Sequence, residues 1–397
     1  MAFVNKYVDV HGLVNDLYSE LVGKKDIAQA DASNIVSMGQ ELKDTIPGDK
    51  LYQKIVEKVG KTIVENREWQ LTMPKLYKDN YQMGLLLESL RVRTFEATTD
   101  PSVKPISGTS YVDSLTKYNA ADVVAKYYNT QCGFQLEYWR PNDQLWTAFN
   151  SWDMMEKFIG ALVLAVSNSM KMRLLTLSKL CVSNMIAETM YNAFPDGEYE
   201  GKSSTRAVNL LHLYNAAHPD AQLTAENCRL NSEFLRFACK TMDNWSARMR
   251  EVTSKFNIDG EDEQTTSERL NVTLLSTFAN DIKYHLYNAA GQFSFSLMEL
   301  PAYDTVAAWQ ATEEFDEGVI SEVNVRIKDL NDGTTHDIEV TGVMGIMYDD
   351  DAMGINCERK KVTAFYHPDL DQTKFFDKFN ACYINKTDKN FVVFYIA

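Results

Sequence analysis

The chain has 397 residues, 45% of them apolar and 24% charged. That composition matches an ordinary globular chain and excludes global disorder, a collagen-like repeat and a disulfide scaffold. Forty Lys and Arg against 55 Asp and Glu leave a net charge of −15, the wrong sign for a protein that grips nucleic acid by general phosphate neutralisation. The cysteines at 132, 181, 228, 239, 357 and 382 contain no Cys-x-x-Cys pair, so free thiols are expected rather than a zinc ribbon or a redox dithiol. Such a length suggests two or three domains at roughly 150 residues each.

Residues 1–50 read as an arm. Val10, Leu13, Val14, Leu17 and Leu21 are amphipathic in pieces, and Pro47-Gly48-Asp49 marks a turn. A segment this short cannot close a core of its own and must lie on something else. Its charges, Lys6, Asp9 and Asp16, exclude a secretory signal from the first 18 residues. The most apolar uncharged stretch, Phe158 to Met170, has 13 residues, short of the ~20 that span a bilayer. A soluble intracellular product, with no membrane partner, is expected.

Residues 51–120 read as an extended hairpin. Arg91-Val92-Arg93-Thr94-Phe95-Glu96 alternates, and Trp69-Gln70-Leu71-Thr72 supplies a facing run, with Pro74 and Gly84 between them. Six basic and six acidic residues cancel over 61–100. A neutral ribbon with few apolar residues has little to bury alone, which implies completion by a neighbour. Removing residues 70–90 is therefore expected to leave a folded chain.

A spine helix is predicted over 142–193. Pro141-Asn142-Asp143 provides a stop, an N-cap and a first-turn acid. The apolar series Leu145, Phe149, Trp152, Met155, Ile159, Leu162, Val166, Met170, Leu174, Leu177, Cys181 and Met185 then steps by three or four, with no proline before Pro195. The drift between those steps excludes a simple coiled coil. Helical runs follow at 205–217 and 223–255, then a strand at Asn271-Val272-Thr273-Leu274-Leu275 and a helix at 279–289. Alternating Glu322 to Ile327, a turn at Asn331-Asp332-Gly333 and a return through Ile338 and Val340 form a hairpin. Further strands are Val343 to Tyr348, Val362 to Tyr366 and Phe391 to Ile396.

The sequence writes no active site, and no catalytic, cofactor-binding or metal-ligating residue is assigned. Gly197-Glu198-Tyr199-Glu200-Gly201-Lys202-Ser203 has three residues between its glycines, where a phosphate-binding loop has four. It also follows a helix, and Glu198 and Glu200 would repel phosphate. The strand ending in Tyr348-Asp349-Asp350-Asp351 mimics the acid that holds Mg²⁺ in nucleotide hydrolases. This run and Glu261-Asp262-Glu263 lack the spacing of a calcium loop and read as solvated acidic loops. The histidines at 11, 212, 218, 285, 336 and 367 form no His-Glu-x-x-His pair, and no Gly-x-Ser-x-Gly appears. His212, in a Leu-rich run, reads as a core-edge histidine. From Glu313 to Asp351, twelve acids face only Arg326 and Lys328, a local net of −10, which reads as an acidic surface.

The order of parts resembles the major capsid proteins of tailed phages with the Hong Kong 97-like fold, most of all those of phi-29-type short-tailed phages. The likeness is carried by Leu71-Thr72-Met73-Pro74-Lys75-Leu76-Tyr77-Lys78 with Gly84 and Glu88. It continues in Leu145-Trp146-Thr147-Ala148-Phe149-Asn150-Ser151-Trp152 with Phe158 and Asn168-Ser169, then in Gly345-Ile346-Met347-Tyr348-Asp349-Asp350 through Tyr366 to Asn390-Phe391. The resemblance implies an α+β capsid fold: N-terminal arm 1–50, extended hairpin loop 51–120, peripheral domain 121–196 with its spine helix, axial domain 197–370, and a return to the peripheral domain over 371–397. The surface-decoration module of some relatives is expected to be absent after the last strand. It further implies self-assembly into hexamers and pentamers of an icosahedral or elongated shell around double-stranded DNA, in the virion after assembly in the host cytoplasm. Scaffolding protein, portal and loose contact with packaged DNA are the implied partners, with no cofactor and no enzymatic activity. A tail or collar component and a nucleotide-binding enzyme are the alternatives.

Overall fold

The computed structural model describes residues 73–78, 87–95, 122–128, 131–141, 152–288, 303–310, 316–328, 334–370 and 372–397, with isolated positions at 18, 37, 40, 41 and 312. The predicted arm otherwise lies outside the described residues, as do the Trp69 to Thr72 run, the turn at 331–333 and positions 142–151 of the predicted helix. In chain order the elements begin with β1 (Leu87–Val92), β2 (Val123–Tyr128), β3 (Gln131–Pro141), α1 (Trp152–Ala193), β4 (Ala207–Asn209), α2 (Leu210–Ala217) and α3 (Ser232–Met249). They continue with β5 (Leu270–Leu275), α4 (Ser276–Asn288), β6 (Asp304–Val306), α5 (Glu317–Ser321), β7 (Val323–Lys328) and β8 (Thr335–Val340). The last four are β9 (Val343–Asp349), β10 (Met353–His367), β11 (Gln372–Asn385) and β12 (Phe391–Tyr395).

The chain divides into two compact units. The first comprises 1–83, 131–178 and 355–383; the second comprises 84–130, 179–354 and 384–397. β10 and β11, on either side of residue 370, are neighbours in one sheet. Strand pairing overrides chain order here, because the long hairpin satisfies its backbone groups within itself.

In the first unit a three-stranded sheet runs β10-β11-β3. β11 and β3 are antiparallel from Gln372↔Pro141 to Cys382↔Gln131. Every second residue of β11 is buried from Thr373 to Ala381, the alternation of a sheet with one covered face. Across the pair, Phe379 stacks on Phe134 at 5.1 Å and Phe375 on Tyr138 at 5.4 Å. The early part of α1 is one-sided: Val166, Met170, Leu174 and Leu177 are buried at helical spacing.

The start of the predicted hairpin departs from expectation. Pro74–Leu76 is a short 3₁₀ turn with Met73 and Leu76 buried. Lys78 N–H donates to the Ile355 carbonyl at 2.9 Å, and the Tyr77 hydroxyl donates to the Leu174 carbonyl at 3.2 Å. This stretch is core, so deleting 70–90 would remove packed side chains as well as ribbon. Leu76→Ala is expected to cost about 2–5 kcal/mol, read as a lowered urea midpoint. An unchanged midpoint would show that the turn packs loosely.

In the second unit a five-stranded sheet runs β4-β12-β9-β5-β6. β12 is antiparallel to β9 and parallel to β4; β5 is antiparallel to β9 and parallel to β6. All residues of β5, β9 and β12 are buried, as strands covered on both faces must be. The terminal strand β12 lies inside this sheet, between β4 and β9. From Cys181 to Met190, α1 is buried on nearly all sides, with only Asn184 and Glu188 half-buried, which its mostly small and apolar residues permit.

Two helices are shorter than predicted. The run at 205–217 opens as β4, because Ala207, Val208 and Asn209 pair with Val393, Phe394 and Tyr395. Only then does Asn209 cap α2, its Oδ1 accepting from the N–H groups of Leu211 and His212 at 3.1 Å. The run at 223–255 holds a 3₁₀ turn at Cys228–Leu230 and then α3, started by Asn231, whose side chain accepts from Glu233 and Phe234 N–H.

Candidate functional surfaces

The segment 197–203 is a pair of turns, with Gly197 and Gly201 at φ +74° and +62°. Its groups are already committed. Lys202 Nζ pairs with Glu198 at 3.0 Å. The Tyr395 hydroxyl donates to the carbonyls of Tyr199 and Lys202 at 3.0 and 2.8 Å, and burial pushes its pKa up, so it remains a donor. Gly201 N–H is directed to the Ala397 carbonyl and Lys202 N–H to that of Tyr199. A phosphate cradle needs those N–H groups free. The turns instead anchor the end of β12.

The triple aspartate is no solvated loop. Asp349 closes β9 with its side chain fully buried. It accepts from Thr265 Oγ1 at 2.9 Å, Arg269 Nη2 at 3.0 Å and Asp351 N–H at 3.0 Å. Arg269 also pairs with Asp351, and Asn271 donates to Asp350. A guanidinium therefore fills the place a metal would take. Among the described residues no group of three or more His, Cys, Asp or Glu is placed to hold a metal ion.

Among the described residues, histidines and thiols supply no metal site either. His212 is exposed on α2 rather than at the edge of the core. His218 stacks on Tyr214 at 4.3 Å, and His336 lies 4.8 Å from Tyr191. All six cysteines are free. Burial pushes Cys181 and Cys239 up to about 12 and Cys228 up to about 11, which keeps them protonated and unreactive.

The second acidic run is also paired. The turn at 259–263 receives the cations of the β1–β2 ribbon. Arg93 reaches Glu261 through Nη2 at 2.6 Å and Nε at 2.9 Å, while its Nη1 pairs with Asp122 at 2.7 Å. The hydrogen bonds from Arg93 hold the Glu261 carboxyl below the usual range. Arg91 lies 2.9 Å from Glu263 and 3.4 Å from Asp388, and Lys126 pairs with Asp259. Arg91 and Arg93 are hidden in the sequence because their window, 61–100, is neutral in sum. The available signal was local: Arg91 and Arg93 are two apart, hence on one face of a strand.

Among the described residues, the conspicuous charges bind one another. Comparison with known proteins decides the rest. The model of the Phi29-like phage major capsid protein family matches residues 14–395. This chain belongs to that family. It is a phage capsid shell protein, a virion component, and the tail or collar alternative falls away. Among solved structures, it is similar to the capsid of Staphylococcus phage Andhra, with 9% identity, 81% of this chain and 83% of that chain covered, and a TM-score of 0.48. A structure of the head fibre and inner core protein gp22 of bacteriophage P68 aligns at 11% identity over 81% and 83% of the chains, with a TM-score of 0.45. The capsid of Myoviridae phage XM1 aligns at 10% identity over 81% and 89%, with a TM-score of 0.38. No curated protein matches the sequence. Among the described residues, no helix of this capsid-family chain is long and apolar enough to cross a membrane.

Proposed function

We propose that this capsid protein builds its shell in the Hong Kong 97-like manner, and that the family match over 14–395 carries the reading. The first compact unit, with the three-stranded sheet and the one-sided part of α1, is the peripheral domain. The second, with its five-stranded sheet, is the axial domain. Residues 1–50 are the arm and 51–120, apart from the packed turn at 73–78, the extended loop, and both reach neighbouring copies. Copies gather as hexamers and pentamers that close an icosahedral or elongated head around double-stranded DNA. Assembly takes place in the host cytoplasm with a scaffolding protein and a portal.

The role is structural rather than enzymatic, which the commitment of Lys202 to Glu198 supports. The net charge of −15 suits a container that touches packaged DNA loosely, because like charges do not grip. Quasi-equivalent closure asks one chain to accept several local angles, and segments outside the sheets can absorb those differences.

Electron microscopy of the purified full chain, alone and with its scaffolding partner, tests the reading. Shells, or sheets of hexamers and pentamers, are the expected result. A discrete ring or tube would overturn it. So would a monomer that hydrolyses ATP and loses that activity in Lys202→Ala.

A further inference from the structure

The β1–β2 ribbon wears its faces inverted. In the antiparallel register Glu88 lies opposite Tyr127, Leu90 opposite Ala125 and Val92 opposite Val123. Paired residues share a face, and this one is turned to solvent: Leu90, Val92, Val123 and Tyr127 are each more than half exposed. The other face carries Leu87 with Tyr128, Ser89 with Lys126 and Arg91 with Val124, and this face is partly covered. None of the described side chains of the ribbon is buried. A two-stranded ribbon is marginal by itself in water, so what holds this one is the set of polar contacts on its charged face.

Those contacts converge on one receptor. Arg91 reaches Glu263, Asp388 and the Asp262 carbonyl. Arg93 forks onto Glu261, and Thr94 Oγ1 donates to Asp262 at 3.4 Å. Lys126 pairs with Asp259 and donates to Thr387 Oγ1 at 2.9 Å. The receptor is organised without the ribbon. Asn257 Oδ1 accepts from Glu261 N–H at 2.9 Å, Ile258 N–H donates to the Thr387 carbonyl at 3.0 Å, and Lys389 holds Glu263 at 2.8 Å. The acids therefore stay in place whether or not the ribbon is there.

We propose that Arg91, Arg93 and Lys126 on one side, and Asp259, Glu261, Glu263 and Asp388 on the other, form a salt-releasable latch. The ribbon is a strap parked on the 257–263 turn of its own chain, and it lifts away with the sheet intact when these pairs are screened or reversed. Two physical facts carry this. Partly exposed ion pairs are weak singly and depend on several acting together, and salt weakens them over a screening length of ~10 Å or less. Apolar burial, which salt does not screen, is limited on the docked face to the half-buried Val124 and Tyr128, and no side chain there whose exposure is described is fully buried. The parked strap keeps an apolar face outward on every subunit, so its release is a step that a second copy of the chain can exploit. The latch concerns the free subunit and stands or falls separately from the mode of shell closure.

Hydrogen exchange on the unassembled full-length chain tests it, comparing peptides within 84–130 with those covering β9 and β12. Raising NaCl from about 0.05 to about 1 M is expected to speed exchange in the ribbon roughly tenfold and to leave β9 and β12 unchanged. The triple variant Arg91→Glu, Arg93→Glu, Lys126→Glu is expected to show fast ribbon exchange already at low salt. Arg93→Glu alone loosens the ribbon, and adding Glu261→Arg restores protection by rebuilding the fork in reverse. Ribbon protection indifferent to salt and to charge reversal overturns the proposal. Loss of β9 and β12 protection together with the ribbon overturns it as well, since the ribbon would then be part of the body.

Discussion

Replacing Gly342 by alanine is expected to destabilise the second compact unit by about 3–5 kcal/mol, near the upper end for a single substitution. The residue sits at φ +73° between β8 and β9, and an added Cβ would lie 2.1 Å from the Ile396 carbonyl oxygen. Left-handed backbone alone costs an L-residue about 1–2 kcal/mol. The clash is the larger part, because its partner is backbone and no rotamer change relieves it. Ile396 N–H also donates to the Gly342 carbonyl at 2.9 Å, so relief must come from prising β12 away from the start of β9. Two other glycines calibrate the expectation. At Gly345 the added Cβ would meet Leu274 Cδ2 at 2.6 Å, the end of a side chain that can shift, and alanine there should cost about 1–3 kcal/mol. At Gly260, φ is +71° with nothing within 4 Å, and only the backbone cost of about 1–2 kcal/mol is expected. The buried indole of Trp309 donates to the Val343 carbonyl at 2.8 Å, so its fluorescence reports unfolding next to the substitution. Urea midpoints should fall in the order Gly260→Ala, Gly345→Ala, Gly342→Ala, the last being lowest. A Gly342→Ala midpoint equal to that of the parent would show the turn to be slack.

Much of this architecture was legible from residue patterns, for reasons that also explain the failures. The spine helix announced itself through apolar steps of three and four, and β7, β8, β9 and β12 through alternation or short apolar runs, because those signals are local. β4 was hidden inside a helical run. Three residues, Ala207 to Asn209, owe their extended form to β12, nearly 190 positions later, and no local propensity records that. The same holds for charge. Glu261 is answered by Arg93 from 168 positions away, and Asp349 by Arg269 from 80. An acidic run looks solvated when its counter-ions are far off in sequence. The shell function was readable only through family resemblance: assembly surfaces on one subunit have no catalytic constellation to leave a motif.

The run Asp349-Asp350-Asp351 offers the sharpest test of that lesson, since one composition feature divides into different environments. Asp349 is fully buried and receives three donors, while Asp351 keeps 44% of its side chain exposed. Removing a buried carboxylate strands its partners. Thr265, itself buried, would lose its acceptor while still accepting from Asn390 at 3.1 Å. Arg269 would keep only Asp351, its partner at the surface. Because Arg269 is 42% exposed, water repays part of the loss, which lowers the cost from the ~3–5 kcal/mol of a broken buried pair to about 2–4 kcal/mol for Asp349→Ala. Asp351→Ala removes a screened, half-exposed partner and should cost less than about 1 kcal/mol. The difference, roughly 2 kcal/mol or more between two aspartates two positions apart, is readable as separated urea midpoints. Equal midpoints would mean that the acid at the end of β9 is hydrated after all. A separation would mean that the local net of −10 over 313–351 overstates the negative surface, because part of that charge is spent inside, tying the end of β9 to the 265–269 segment and, through Thr265, to Asn390.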